Sequence, residues 1–315
     1  MYHQKPTFED APPKGLTSRA KAWTLGRLLL PFCSLVRSVP EYMVPALGDT
    51  VGDLLYFASA KLRRVALANL TYVYGNCWTR AQIADTARRV FRNFGRTAVE
   101  FVRLPTTSAD RIRRCVHIEG LEHMHQARRL GRGTILITAH YGNWELLGAR
   151  AVLEGFPMNV LARTADDALT DRIINQIRGD IGFRVFARGA SLMPVLRRLR
   201  QNEVVGMLPD QNFRNGIFVE FFGRLAATAT GPAEIALRTG APVVSAFIER
   251  QPDNTHLIRF APVPVCPTND HDADVRRLTQ QFTRVIEEAI RRRPDQWMWF
   301  HNRWKHRPNS EVLHA

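Results

Sequence analysis

The sequence predicts an α/β fold: a central, mostly parallel sheet flanked by helices, with an N-terminal helical preface that associates with a membrane. Three observations point there. From about Val116 onward, short apolar runs of strand length alternate with amphipathic runs of helix length, the pattern of parallel strands covered on both faces. At 315 residues and 45% apolar content the chain can bury a full core as one large domain. Finally, the apolar run Thr134-Ile-Leu-Ile-Thr-Ala ends abruptly in His140, Tyr141, Gly142 and Asn143. An imidazole at the carboxyl end of a buried strand occupies the crevice where open α/β sheets place their chemistry.

Taken in order, residues 1–18 are polar, contain prolines and form a tail expected to be disordered. Residues 19–104 read as helical. The apolar run 28–36, bracketed by Arg27 and Arg37, is shorter than the ~20 residues a spanning helix needs. The stretch 23–47, with Trp23, Phe32, Met43, three prolines and flanking cations, suits the membrane interface and a buried helical hairpin about equally. Thr79 with Gln82 three residues later has the form of a capping box. The helix it opens aligns Ile83, Ala87, Val90, Phe91, Phe94, Ala98, Phe101 and Val102 on one face, with Arg88, Arg89, Arg92 and Arg96 elsewhere, and stops before Pro105. Around 105–110 the helical part gives way to the α/β part, 105–308. Strands are expected at 116–118, 134–139, 158–162, 184–186, 204–208, 219–222, 243–248 and 257–263. Helices are expected at 121–130, 144–153, 167–181, 192–201, 231–238 and 273–292.

The formal charge is +15, and only five of the 44 basic residues are lysine. Guanidinium forks suit phosphates and carboxylates, so the expected partners are acidic, with Arg197, Arg198, Arg200 and Arg291, Arg292, Arg293 available to a docking protein. No nucleic-acid module accompanies the charge, and no nucleic-acid partner is expected. The four cysteines are scattered without a C-x-x-C pair, which suits unpaired thiols in a reducing compartment. The first ten residues lack the apolar segment of a signal peptide.

The chemistry concentrates at strand ends. Asn143 is a good N-cap for the helix beginning at Trp144, and Glu145 in its first turn can fold back toward His140. A carboxylate holding one ring nitrogen leaves the other free to take a proton from a hydroxyl, the orienter and base of a triad without its serine. A solvated His–Glu pair would look the same in sequence. Zinc is disfavoured, since His-x4-Glu is not the His-Glu-x2-His of a zinc helix and the next histidine is His256. The next core strand ends at Arg163, a cation for the same crevice. The run Val205-Gly-Met-Leu-Pro209-Asp210 ends another strand in a carboxylate, whose natural partner is Arg163 or another arginine. Gly231-Pro232 opens a helix with proline at N1, leaving backbone N–H groups free for an anion.

His140-Tyr-Gly-Asn-Trp-Glu145, Pro209-Asp210-Gln211, Phe222-Gly223 and Thr230-Gly231-Pro232-Ala233, in this order, resemble the bacterial lipid A biosynthesis (late) acyltransferase family of lauroyl and myristoyl type, within the glycerolipid acyltransferase superfamily. The closing Gln296-Trp-Met-Trp-Phe-His-Asn-Arg303-Trp304-Lys305 is similar to that family's tail, so the likeness covers roughly 110–307. It implies acyl transfer from an acyl carrier protein thioester, with no other cofactor and no metal, to a lipid hydroxyl. It also implies a cytoplasmic-face, monotopic place on the inner membrane, with anionic lipid as a partner. By motif match His140 and Glu145 would be the dyad, and Arg163, Asp210, Gly231 and Pro232 substrate-binding residues. Departures from the family are the weak apolar stretch at 23–47, the Thr164-Ala-Asp-Asp167 run after Arg163, and Ser245 where proline is common. They leave the acceptor open among a lipid A precursor, another glycolipid, a lysophospholipid and an aminoacyl lipid, with coenzyme A as the alternative donor.

Overall fold

A computed structural model of the chain describes Pro31 and residues 33–162, 167–187 and 192–308. Among these, β1 (Val116–Glu119), β2 (Thr134–Ile137), β3 (Met158–Ala162), β4 (Arg184–Ala187), β5 (Val204–Met207), β8 (Val243–Arg250) and β9 (His256–Val263) form one sheet in the order β1-β9-β8-β2-β5-β3-β4. Every neighbouring pair is parallel except β8 and β9. That exception follows from chain length. Five residues join β8 to β9, enough for a hairpin and far short of the dozen or so a parallel crossover needs. The sheet is therefore mostly parallel, as expected. β6 (Ile217–Phe221) and β7 (Arg224–Thr228) form a separate antiparallel hairpin.

Strands β2 and β5 are buried at every position, which is why both read as unbroken apolar runs. Side chains alternate between the two faces. Ile135 and Ile137 join a cluster with Val205, Val243 and Phe282, while Leu136 faces Met124, Leu147, Val244 and Phe183 on the other side. The covering helices are α5 (Leu121–Arg129), α6 (Trp144–Leu153), α7 (Ala168–Asp180), α8 (Met193–Arg200), α9 (Gly231–Thr239) and α10 (His271–Arg292).

Ahead of them come α1 (Val44–Ala58), α2 (Ala60–Tyr74), α3 (Arg80–Arg103) and α4 (Ala109–Cys115). The capping box at Thr79 and Gln82 is present. Leu70, Ile83, Val90 and Phe91 belong to the same cluster as Ile135 and Trp297, so the helical preface and the sheet share one core. Part of the basic side of α3 packs against α1. Gly48, Gly52 and Gly95 bring α1 and α3 into backbone contact; a Cβ on Gly95 would lie 2.2 Å from the Gly48 carbonyl oxygen. At this crossing Asp53 binds both Arg88 and Arg92 (2.8 and 2.7 Å), and Asp49 binds Arg96 (2.6 Å).

Two elements differ from expectation. The 105–110 boundary is occupied at once by α4, capped by Ser108. β7 was not expected, because its small residues Ala226 and Ala227 carry little strand signal; the turn at Phe222 (φ +52°) and Gly223 folds it onto β6. Of the 23–47 stretch, residues 23–30 and Phe32 lie outside the described residues. Leu35, Tyr42 and Met43 are exposed, as are Leu54 and Phe57 on α1. No helix of the described residues is long and apolar enough to cross a membrane.

Candidate active site

The site sits where the chain changes direction across the sheet. From β2 it leaves toward β3 on one side, and after β5 it goes to β8 on the other, so the carboxyl ends of the adjacent strands β2 and β5 open a crevice. Their register pairs Ile137 with Met207. Three residues beyond each partner stand His140 and Asp210.

Asp210 is 2% exposed and accepts three hydrogen bonds. Its Oδ1 meets His140 Nδ1 at 2.9 Å, and its Oδ2 accepts from the His140 backbone N–H and from Trp297 Nε1, each at 2.9 Å. Burial pushes this carboxyl up, but the His140 ring and the three donors outweigh burial and hold it at about 2. The ionised carboxylate can only accept, so Nδ1 carries a proton, and the neutral form of the ring has its lone pair on Nε2. Around the ring lies a small depression walled by Val90, Phe94, Trp144, Trp297 and Met298. Asn93, Gly142 and Gln296 complete the wall, so the lining is mixed, aromatic and aliphatic side chains beside two amides.

Three elements fix the turn that carries His140. Gly142 has φ +58°, and a Cβ there would lie 1.9 Å from the Ile248 carbonyl oxygen, so only glycine fits. Its N–H donates to the Gln296 carbonyl (2.9 Å), and its carbonyl accepts from Thr97 of α3 (3.1 Å). Asn143 caps α6 through Leu146 N–H (3.0 Å) and donates from its amide to Glu100 (2.7 Å). Glu100 in turn receives both guanidinium nitrogens of Arg250 at 2.6 Å. Burial opposes its charge, but Arg250 holds its carboxyl below the ordinary range.

The other residues singled out in the sequence fall as follows. Glu145 does not face the His140 ring. Its carboxylate is 6% exposed and engages Arg178 of α7 at 2.5 Å, with Trp144 Nε1 at 3.2 Å. The expected contact gives way because Asp210 already fills the Nδ1 side of the ring, while α6 turns Glu145 toward α7. Asp210's partners are therefore His140 and Trp297, not an arginine. Arg163 lies outside the described residues. Gly231 and Pro232 open α9, which runs antiparallel to the strands and so begins at the same pole as His140; Gly231 is exposed and neither lines the depression. Arg197, Arg198 and Arg200 precede β5 and lie at the opposite pole of the sheet, whereas Arg293 lies beside the site. Among the described residues no cluster of three His, Cys, Asp or Glu is placed to hold a metal ion.

Several participants escaped the sequence reading. Trp297 donates to Asp210, and Tyr141 forms a bridge with it. His301 accepts from the Asn212 N–H (3.0 Å), and burial holds it neutral, down to about 4. Arg303, 1% exposed, donates to the Ala227 carbonyl at 2.7 Å; burial lowers it to about 10. Their signal was the closing run 296–305, which the sequence marked as similar to the family's tail without assigning its residues a role.

The site is thus an imidazole hydrogen-bonded to a buried aspartate at the carboxyl edge of a mostly parallel sheet, beside a small recess of mixed lining. The family model for bacterial lipid A biosynthesis acyltransferases matches residues 16–306, and the chain belongs to that family; it is an acyltransferase. It is 24% identical to a lipid A biosynthesis acyltransferase of Haemophilus influenzae, with 90% of this chain and 88% of that one covered. It is 27% identical to the lipid A biosynthesis lauroyltransferase of Escherichia coli (88% and 90% covered). It is 29% identical to a phosphatidylinositol mannoside acyltransferase of Mycobacterium tuberculosis (85% of each covered).

Proposed function

We propose that this acyltransferase moves a fatty acyl chain from an acyl carrier protein thioester to a hydroxyl of a glycolipid, such as a lipid A precursor, with His140 as general base. The observation that carries the reading is the 2.9 Å contact of His140 Nδ1 with a buried Asp210 carboxylate, beside a recess walled in part by Val90, Phe94, Trp144, Trp297 and Met298. Nε2 takes the proton of the acceptor hydroxyl as its oxygen bonds to the thioester carbonyl carbon. The tetrahedral adduct collapses with cleavage of the C–S bond, and the leaving thiolate receives the proton back from the imidazolium. Asp210 stays ionised throughout and stabilises the transient imidazolium. Glu145, tied to Arg178, pins the start of α6 and thereby the turn that presents the ring. Relatives named for lipid A and for phosphatidylinositol mannosides both point to a sugar-bearing lipid as acceptor.

The enzyme works at the cytoplasmic face of the inner membrane, held monotopically by the exposed Leu35, Tyr42, Met43, Leu54 and Phe57 and by attraction of its cationic surface to anionic lipid. That charge also favours an acidic carrier protein over coenzyme A. The test is incubation of the purified full-length chain with acyl carrier protein or coenzyme A thioesters of matched length and with glycolipid or lysophospholipid acceptors. The reading expects an ester-linked acyl chain on the glycolipid by mass spectrometry, with carrier-protein turnover that weakens as salt rises. Acylation of the lysophospholipid alone from coenzyme A would overturn it.

A further inference from the structure

Beside the His140 recess lies a second, larger groove of about 210 Å³. The two share Asn93 and Gln296, so they adjoin. Its charged lining comprises Arg89, Arg92, Arg96, Arg250 and Arg293 against only Asp49 and Asp295. The arginines are of two kinds. Arg92, Arg96 and Arg250 are locked by close pairs with Asp53, Asp49 and Glu100 (2.6–2.7 Å), which fixes their guanidinium planes when the chain folds. Arg89 and Arg293 are paired loosely, at 3.3 Å to Asp85 and 3.7 Å to Asp295, and keep 52% and 36% of their side chains exposed. The surroundings are short of acid. Asp53 is shared by Arg88 and Arg92, and Glu249 behind the groove by Arg259 and Arg292.

Building on the acyl-transfer reading, we propose that this groove is a phosphate subsite, in which Arg89 and Arg293 close on a phosphate group of a substrate whose reacting end lies at His140. A phosphate offers several oxygens to more than one fork, which two loosely held guanidiniums over a locked basic floor can meet and a neutral sugar cannot. Two substrates could bring that chemistry: the phosphodiester of the donor's phosphopantetheine arm, or a phosphate on the acceptor's headgroup.

The full-length chain is titrated with inorganic pyrophosphate and followed by tryptophan fluorescence, since Trp144 and Trp297 wall the adjoining recess. The double variant Arg89→Gln/Arg293→Gln should bind at least about tenfold more weakly than the wild type. Arg129→Gln/Arg132→Gln, exposed at the opposite pole just before β2, should bind as the wild type does. An absence of saturable binding, or equal weakening in both double variants, overturns the subsite whether or not the chain proves active. Steady-state kinetics then identify the source. With a carrier-protein donor and a phosphorylated glycolipid, the Arg89/Arg293 variant should show about a tenfold rise in KM for one substrate. That rise should vanish when an acyl-N-acetylcysteamine thioester, which lacks the phosphate, replaces the donor, or when a dephosphorylated acceptor replaces the glycolipid. Unchanged KM for both phosphate-bearing substrates refutes the subsite. A wild-type chain that binds pyrophosphate but transfers no acyl group between these substrates refutes the proposed donor and acceptor instead.

Discussion

Asp210→Asn separates the two carboxylates that compete for the role of orienter. The asparagine is nearly isosteric, and its single amide oxygen can keep the bonds from the His140 N–H and Trp297 Nε1, both 2.9 Å in the wild type. What remains opposite Nδ1 is then an NH2 group, a donor where the ring needs an acceptor. The imidazole responds by protonating Nε2 and losing its base. A wrong tautomer in an otherwise intact triad costs about 10⁴-fold elsewhere, so kcat should fall by about 10³–10⁴, equivalent to about 4–5.5 kcal/mol of barrier. Glu145→Gln leaves the ring's partner in place and should cost about tenfold or less. The pH dependence gives an independent check. Asp210 is held at about 2, below its unfolded value near 4, so its stabilising contribution is present above pH 4 and is lost as pH falls toward 2. The asparagine variant should lack that acid loss in urea unfolding between pH 4 and 2. The assay is kcat at saturating donor and acceptor for both variants, with circular dichroism to confirm the fold. A larger loss for Glu145→Gln than for Asp210→Asn would refute this reasoning and return the orienting role to Glu145.

Other sites offer equally direct tests. Gly142→Ala places a Cβ against the Ile248 carbonyl at a left-handed φ, so thermal melting should fall by about 5 °C or more and activity should drop with it; an unchanged melt would show that the turn can shift freely. Buried His256, whose ring nitrogens have no hydrogen-bond partner, is pushed down by burial to about 4, below its unfolded value near 6.5. Between pH 6.5 and 4 the unfolded chain takes up a proton that the folded chain refuses, so acidification through that window removes up to about 3 kcal/mol of stability. His256→Leu should flatten this part of the stability curve, and an identical slope would assign the loss elsewhere. Leu54→Ser with Phe57→Ser should weaken binding to vesicles containing anionic lipid by about tenfold or more, since each side chain offers roughly 1.5–3 kcal/mol on burial; undiminished sedimentation with vesicles would move the contact to another surface.

What the sequence revealed was local, and what it hid was the order of strands. The capping box at Thr79, the Asn143 cap and the bounds of β3 and α6 all rest on interactions within a few residues, and each appears in the structure as the sequence implies. The place of His140 was legible for the same reason, as an imidazole just past an apolar strand. Its partner was not. Glu145 stands five residues away and one helical turn in, whereas Asp210 is seventy residues distant and reaches the ring only because β5 lies beside β2. Asp210 carried the same signature as His140, a polar group just past a buried strand, but the sequence alone does not say which strand ends adjoin. The partner of the basic face of α3 was hidden by the same gap. Its periodicity shows arginines away from the apolar face, yet Asp49, Asp53, Gly48 and Gly52 on α1, with Gly95 on α3, turn part of that side into a helix crossing.

The most direct measurement of the central claim is the single-site loss of the base. Wild type and His140→Ala are compared at saturating carrier-protein thioester and glycolipid, with formation of the new ester followed by mass spectrometry and the fold followed by thermal melting. Removing a general base typically costs 10²–10⁴-fold. A loss of about that size with an unchanged melt is the outcome this geometry predicts. Ester formation by His140→Ala at a rate near the wild type's would contradict it.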